Sequence, residues 1–295
     1  MAQDLLHALV NGILDGGIYA LMAVGLTLIF GVLDIINIAQ GVMVVLGAYL
    51  SYVLSVHLHL DLFLGLLITI PVMFVLGIVI ERAFIRPLKG RERTAMSLLA
   101  SYSVAIIIEG LLYRFFGPSY LQLTAPYVSS GFKMAGFYVP WMGVYGLVLA
   151  VVLVGALFWI LYRTKFGRAV RATMQDRTAA LLVGINVNRV AMLTYGIGVA
   201  VTAAGGMIFG ASPASGGFNP NTGYDLISRL LAVIILGGLG SIAGALIASF
   251  FMLTIEDLVV IWSPTWSQLV FYAALVLVLT FRPQGLLGKK AVRAQ

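Results

Sequence analysis

The sequence lacks cysteine entirely and is poor in charged residues. Without cysteine, disulfides and thiol chemistry are excluded, and the redox compartment cannot be inferred. Charged residues make up 10% of the 295 residues, whereas soluble domains carry roughly 25%. Hydrophobic residues make up 61%, and the mean hydropathy is +1.04. These proportions predict an all-α, polytopic membrane protein.

Motifs for catalysis, metal binding and nucleotide binding are also scarce. The three histidines are too few and too separated for a metal site, and no set of nucleophile, histidine and carboxylate indicates covalent catalysis. No Gly-Lys-Ser/Thr follows a glycine-rich run, so a P-loop for ATP is absent from the sequence. A Gly-x-Gly-x-x-Ala pattern at Gly238, Gly240 and Ala243 lies inside an apolar segment, where close helix packing is the better explanation. We therefore expect a protein that is not an enzyme, with no catalytic residues, metal or cofactor of its own.

Basic residues are absent before Arg82 and clustered afterwards. All but three of the 18 fall in clusters at 82–93, 163–190 and 282–295. Basic clusters between apolar runs follow the positive-inside rule, which places them on the cytoplasmic side. The net charge of +7 therefore indicates topology and attraction to anionic lipid headgroups. Nucleic acid is not an expected partner.

Eight membrane segments are predicted from apolar runs of about 20 residues. They cover 16–33, 38–56, 62–80, 95–113, 141–162, 190–211, 230–248 and 268–281. Residues 1–15 are predicted to be a lead-in, and their lack of basic residues argues against a cleaved signal peptide. The charge rule places the N-terminus and the loop 114–140 outside and the C-terminus inside. Residues 1–295 are expected to form a single transmembrane domain.

The predicted segment 230–248 is interrupted by the sequence GGLGS. One straight crossing here would leave the basic tail outside, against the charge rule. We therefore expect a re-entrant segment that turns at four residues: Gly237, Gly238, Gly240 and Ser241. Broken helices of this kind are tolerated where their backbone is buried in protein or lines a wet cavity.

A second unusual stretch is GVLDIINIAQG at 31–41, where Asp34, Asn37 and Gln40 interrupt two apolar runs. Two interpretations remain open. The stretch is either a polar turn between two spans, or a helix break that lines the translocation pathway or contacts another subunit. In the second case Asn37 and Gln40 are the candidate pathway residues.

The third unusual stretch is the basic segment 163–190, which lies between two apolar runs. Residues 168–183 have the spacing of a short amphipathic helix, with Arg168 and Arg171 on its polar face. Composition leaves two interpretations open, a solvated loop that only fixes orientation and a segment that docks on a partner.

Several motifs resemble a known family. Ala179, Ala180 and Gly184 resemble the Ala-Ala-x-x-x-Gly core of the cytoplasmic coupling segment of ABC importer permeases, although Thr178 stands where many of these carry Glu. Further matches occur in the family's order: AVGLTLIFGVLDIINIAQG (23–41), GAY (47–49), TKFGRAVRA (164–172), AALLVGINV (179–187), LAVIILGGLGSIAGALI (231–247) and FRPQGLLG (281–288). Together they resemble the membrane subunit of bacterial branched-chain amino acid ABC importers.

The resemblance implies a permease fold in the bacterial cytoplasmic (inner) membrane and ATP-driven import of branched-chain amino acids from the periplasm. It implies three kinds of partner: a second, related permease chain, two cytoplasmic ATPase subunits that bind the ATP, and a periplasmic substrate-binding protein. The residues that it nominates for ATPase coupling are Arg168, Arg171, Asp176, Ala179, Ala180 and Gly184. Urea or short amides remain alternative substrates. Two alternative classes remain. An ion-coupled secondary transporter would need no docking segment at 163–190, and a structural membrane scaffold would not need the glycine-broken segment 230–248.

Overall fold

The computed structural model describes residues 2–88, 90, 92–134 and 136–288, the side chains of residues 2 and 134 excepted. Helices dominate this part of the chain. They are α1 (Ala2–Leu33), α2 (Gln40–Leu58), α3 (Leu62–Ile80, extended by a π-helical turn at Glu81–Ile85), α4 (Arg93–Phe116), α5 (Trp141–Arg163), α6 (Lys165–Gln175), α7 (Arg177–Leu182), α8 (Val187–Ala211), α9 (Thr222–Gly237), α10 (Ile242–Val260) and α11 (Pro264–Phe281). A small antiparallel hairpin, β1 (Gly131–Met134) and β2 (Phe137–Pro140), lies between α4 and α5. The predicted all-α class is confirmed.

Eight of the described helices are long and apolar enough to cross a membrane, which confirms a multi-pass protein. They are α1 to α5, α8, α10 and α11. The remaining membrane segment, α9, has 16 residues, or about 24 Å of helix. That is shorter than the roughly 30 Å of hydrocarbon in a bilayer. The predicted break in 230–248 is therefore the turn of a helical hairpin with one short limb, α9, and one long limb, α10.

Three element boundaries predicted from the sequence are wrong. Residues 1–15 are not a separate lead-in, because α1 runs unbroken from Ala2. Helix α9 begins at Thr222, earlier than predicted. The amphipathic helix predicted over 168–183 is divided at Asp176. Apolar periodicity locates such ends poorly, because caps and turns decide where a helix stops.

Two of the three basic clusters are only partly described. The residues that lie outside the described part are Lys89, Arg91, Lys289, Lys290 and Arg293. The segment 163–190 is described in full, so the structural account of the basic clusters rests on that segment.

Helix α8 forms the centre of the bundle, with α1, α2 and α3 packed around it. Its sequence is rich in Gly and Ala, and small residues let membrane helices approach closely. A Cβ added to Gly198 in α8 would lie 2.7 Å from the carbonyl oxygen of Gly25 in α1. Helix α1 packs in turn against α10 and α5. The core is therefore held by close backbone contact between interior helices.

Helices α4, α5 and α11 form the outside of the bundle. Large apolar side chains there are mostly exposed, for example Leu99 (71%), Val151 (64%) and Leu277 (60%). Apolar surface of this extent marks contact with lipid or with a membrane partner.

Candidate coupling and translocation site

The basic segment 163–190 folds as two short helices, α6 and α7, before it continues into α8. Thr164 begins α6, since its hydroxyl accepts a hydrogen bond of 3.0 Å from the amide of Gly167. Asp176 begins α7, since its Oδ1 accepts hydrogen bonds of 2.7 and 3.0 Å from two amides of the first turn. Such side-chain caps satisfy the amides that a helix start leaves unpaired. Asp176, a predicted coupling residue, is thus the cap that separates α6 from α7.

The two arginines predicted for coupling have different surroundings. Arg168 is exposed. Arg171 is half-buried, and its guanidinium carbon lies 4.7 Å from the centroid of the Tyr162 ring on α5, a distance typical of a cation–π contact. On the opposite face, Val170 is fully buried. Arg168 is therefore available to a partner, whereas Arg171 fastens α6 to α5.

The two alanines also differ. Ala179 is exposed, but Ala180 is 2% exposed and faces the bundle. The resemblance nominates both alanines for ATPase coupling, but only Ala179 is open to a partner, because Ala180 packs within the chain. Gly184 follows α7 with a φ of +82°, a conformation that glycine adopts without strain and that ends helices.

An exposed apolar ridge lies at the end of α7. It consists of Leu181, Leu182 and Val183, which are 55%, 84% and 75% exposed. Sequence reasoning centred on the alanines and missed this ridge, although LLV follows them directly in the sequence. Three adjacent exposed apolar side chains beside a basic helix have the character of an interaction surface.

A cavity of about 470 Å³ lies where α6 meets the end of α1 and the α9–α10 turn. Its lining joins all three stretches that the sequence analysis singled out, since Asp34, Met174 and Gly240 all contribute. Gly31 lies between two of them. A Cβ added to Gly31 would lie 3.5 Å from the Met174 sulfur and 3.5 Å from the Gly240 Cα. The coupling segment therefore contacts the end of α1, and the end of α1 contacts the α9–α10 turn.

The four residues predicted to break the re-entrant segment build this turn. Gly238 and Gly240 have φ values of +99° and +79°, which favour glycine. Ser241 caps α10 by accepting a hydrogen bond of 3.1 Å from the amide of Gly244. Gly237 faces Gly244, and a Cβ added to it would lie 2.5 Å from the carbonyl carbon of Gly244. The close glycine pair across the hairpin is therefore Gly237 with Gly244.

The chain after α11 closes over the same turn. The amide of Leu286 donates to the carbonyl of Leu236 (2.7 Å), and the amide of Leu287 donates to that of Gly237 (3.1 Å). A Cβ added to Gly238 would lie 2.5 Å from the Gly288 Cα. Gly237 and Gly238 are therefore buried in protein, whereas Leu239 is 44% exposed and Gly240 lines the cavity; both settings are ones in which a broken membrane helix is tolerated.

Asn37 and Gln40 hold the break between α1 and α2. Both are fully buried. Asn37 Nδ2 donates to Gln40 Oε1 (2.8 Å), and Gln40 Nε2 donates to the hydroxyl of Thr202 on α8 (2.5 Å). The amide of Ile38 donates to the hydroxyl of Ser101 on α4 (3.1 Å). In this conformation the two side chains join helices inside the protein.

Sequence reasoning missed one ion pair inside the bundle, whose side chains are 22% exposed (Arg229) and 8% exposed (Glu256). Both carboxylate oxygens of Glu256 on α10 contact the guanidinium of Arg229 on α9, at 2.9 and 3.0 Å. The available signal was an arginine in the middle of an apolar segment, because intramembrane charges are costly and usually functional.

Comparison with known proteins gives a consistent result. The family described as "Branched-chain amino acid transport system / permease component" matches residues 8–279. The chain is 29% identical to the high-affinity branched-chain amino acid transport system permease protein BraD of Pseudomonas aeruginosa, over 97% of each chain. It is 29% identical to the corresponding permease protein LivH of Escherichia coli K12, over 97% of this chain and 96% of that one. A shorter similarity, 35% identity over 50% of this chain and 44% of the relative, links it to the autoinducer 2 import system permease protein LsrC of Klebsiella pneumoniae.

No solved structure matches the chain significantly. The family match spans all eight candidate membrane helices, apart from the first residues of α1 and the last residues of α11. The protein therefore belongs to the family of permease components of branched-chain amino acid transport systems.

Proposed function

We propose that this protein is a permease subunit of an ATP-driven ABC importer that carries branched-chain amino acids into the cytoplasm. The family and the names of the relatives support the substrate class. The observation that carries the mechanism is the continuous contact from α6 through the end of α1 to the α9–α10 turn. A movement of the coupling segment would be transmitted across this contact to the α9–α10 hairpin.

The docking surface for a cytoplasmic ATPase subunit is the apolar ridge of Leu181, Leu182 and Val183. Arg168 is exposed on the adjoining helix. Ala180 anchors the ridge from beneath, and Asp176 fixes the angle between α6 and α7. An ATPase subunit bound to the ridge would therefore move α6 together with α7.

The other proposed partners follow from the family. They are a second, related permease chain, a second ATPase subunit and a periplasmic substrate-binding protein. ATP would be bound by the ATPase subunits, and the complex would lie in the bacterial cytoplasmic membrane. The exposed apolar sides of α4, α5 and α11 provide the surface for lipid and for the second permease chain.

The docking proposal is tested by Leu182→Glu, which places a charge at the most exposed point of the ridge. Full burial of a leucine contributes about 1.5–3 kcal/mol, so association with the ATPase should weaken by roughly tenfold or more. The measurement is the amount of ATPase subunit that copurifies in detergent, together with substrate-stimulated ATP hydrolysis.

The matched control is Leu58→Glu, the same change at a residue that is 60% exposed at the far end of α2. It should leave copurification unchanged, because that end lies on the other side of the membrane by the charge rule. Equal copurification of Leu182→Glu and wild type would reject docking through the ridge.

A further inference from the structure

A second cavity, of about 420 Å³, lies between α1, α9 and α10, away from the coupling segment. Its volume falls in the range of small-molecule sites, roughly 300–1,000 Å³. Eighteen residues of α1 separate Asp15 in its wall from Leu33 at the coupling end, a distance of about 27 Å. Tyr120 and the loop after α8 also line it. The cavity therefore lies towards the side that the charge rule makes external.

Two loops that are tied to each other form part of the cavity wall. Leu121 and Phe218 exchange backbone hydrogen bonds of 2.9 and 2.8 Å. This bridge joins the loop after α4 to the loop after α8 beside Tyr120 and Gly217, which both line the cavity. This part of the wall is therefore held by backbone contacts.

The charges in the wall are strongly unbalanced. Four carboxylates line the cavity, from Asp15, Asp225, Glu256 and Asp257, and Arg229 is the one cationic side chain among the lining residues. The guanidinium of Arg229 is already engaged. Glu256 binds this guanidinium through both carboxylate oxygens. The guanidinium carbon of Arg229 lies 5.7 Å from the centroid of the Phe271 ring. Its positive charge is thus offset by Glu256.

Asp15 and Asp257 are left without a cation of their own. Within the described part of the chain, neither forms an ion pair, and Oδ2 of Asp257 is fully buried with no hydrogen-bond partner. An acceptor buried without a partner costs free energy, about 1–3 kcal/mol and more for a charged group. An ammonium group, with three donors and a positive charge, would satisfy both carboxylates.

We propose that this cavity is a site for the ammonium group of an amino acid substrate, bound by Asp15 and Asp257 on its way into the membrane. The inference rests on the proposed function and narrows it. An amino acid carries an ammonium group that matches these two carboxylates, whereas Arg229 is already paired with Glu256. Urea or a short amide carries no positive charge, so it would gain from this wall only hydrogen bonds from neutral donors, which are weaker than those from an ammonium group.

The test uses the complete complex in vesicles and a single cysteine, Gln268→Cys, in the cavity wall. The native chain has no cysteine, so labelling has no background from this subunit. The rate of reaction with an aminoethyl methanethiosulfonate is compared with that of a sulfonatoethyl one, each relative to a small free thiol. We expect a preference for the positive reagent of roughly tenfold or more, because clefts lined by one sign of charge concentrate counter-ions to that extent.

Asp15→Asn and Asp257→Asn should each reduce this preference, and Asp257→Glu should retain it. Asp61→Asn is the control, since Asp61 lies outside the cavity and caps α3. Copurification of the ATPase subunits shows whether a variant is assembled. Unchanged charge preference in the assembled double variant Asp15→Asn/Asp257→Asn would overturn the proposal.

Two further arms identify the source of the cation. Leucine with its binding protein should slow labelling by the positive reagent. If sodium slows labelling and an equal concentration of choline does not, while leucine has no effect, the site binds an inorganic ion. That result would overturn the substrate role. Leucine-stimulated ATP hydrolysis by the wild type tests the proposed function separately. If that stimulation is present while the charge preference is absent, only the cavity proposal fails.

Discussion

At the scale of single residues, the glycines of the α9–α10 turn are the positions that tolerate least change. Gly238 combines a φ of +99° with contact to the backbone of Gly288. A side chain there would meet both backbone strain and another segment of the chain. Ala180 is also constrained in size, because it is buried under the exposed ridge. Its small side chain is needed for packing within the permease.

Gly238→Ala should lower stability and impair uptake. A non-glycine residue in a sparsely populated backbone region costs about 1–3 kcal/mol, and the close contact with Gly288 adds to this. The measurements are the midpoint of thermal unfolding in detergent and substrate uptake into vesicles.

The matched control is Gly155→Ala in α5. A Cβ added at Gly155 meets nothing within 4 Å, and alanine favours helix by about 1 kcal/mol over glycine. Gly155→Ala should therefore be neutral or stabilising. If Gly238→Ala behaved in the same way, the turn would not require glycine at this position.

At the scale of elements, the break between α1 and α2 is held by side chains rather than by glycine. Asp34 adopts a φ of +54°, and the chain then passes Asn37 before α2 begins at Gln40. Gln40 connects this break to α8, the central helix. A polar side chain is retained inside the bundle because its hydrogen bonds fix how α2 meets α8.

Gln40→Leu should therefore destabilise the protein. Removal of the amide leaves Nδ2 of Asn37 without its acceptor and the hydroxyl of Thr202 without its donor, at a cost of about 1–3 kcal/mol for a buried group left unsatisfied. Thermal unfolding in detergent measures this. Gln122→Leu, in an exposed loop position, is the matched change and should have little effect. A loss no larger for Gln40→Leu than for Gln122→Leu would show that the network does not hold the break.

At the scale of the whole molecule, much of the architecture could be predicted from the sequence. Runs of apolar residues located most spans, because a span requires apolar composition. The interruption at 237–241 located the hairpin turn, because the turn requires glycine. The end of α7 at Gly184 could be predicted for the same reason. These features depend on local chemistry.

The parts that could not be predicted depend on what lies across the bundle. The sequence places Ala179 and Ala180 side by side, but only packing shows that one faces the solvent and the other the interior. Arg229 and Glu256 are separated by a hairpin, and their pairing follows from its fold. The amphipathic pattern of residues 168–183 predicts one continuous helix, but the cap at Asp176 divides it into α6 and α7.

The central claim is that force on the coupling segment reaches the α9–α10 turn across the cavity that both line. Cysteines at Met174→Cys and Ser241→Cys flank this cavity, and a short, cleavable bifunctional thiol reagent can join them without background from this chain. The measurement is substrate-stimulated ATP hydrolysis by the reconstituted complex before linking, after linking and after cleavage of the linker. We expect the linked complex to keep its ATPase subunits but to lose stimulation, and to regain it on cleavage. Full stimulation in the linked complex would contradict transmission through this contact.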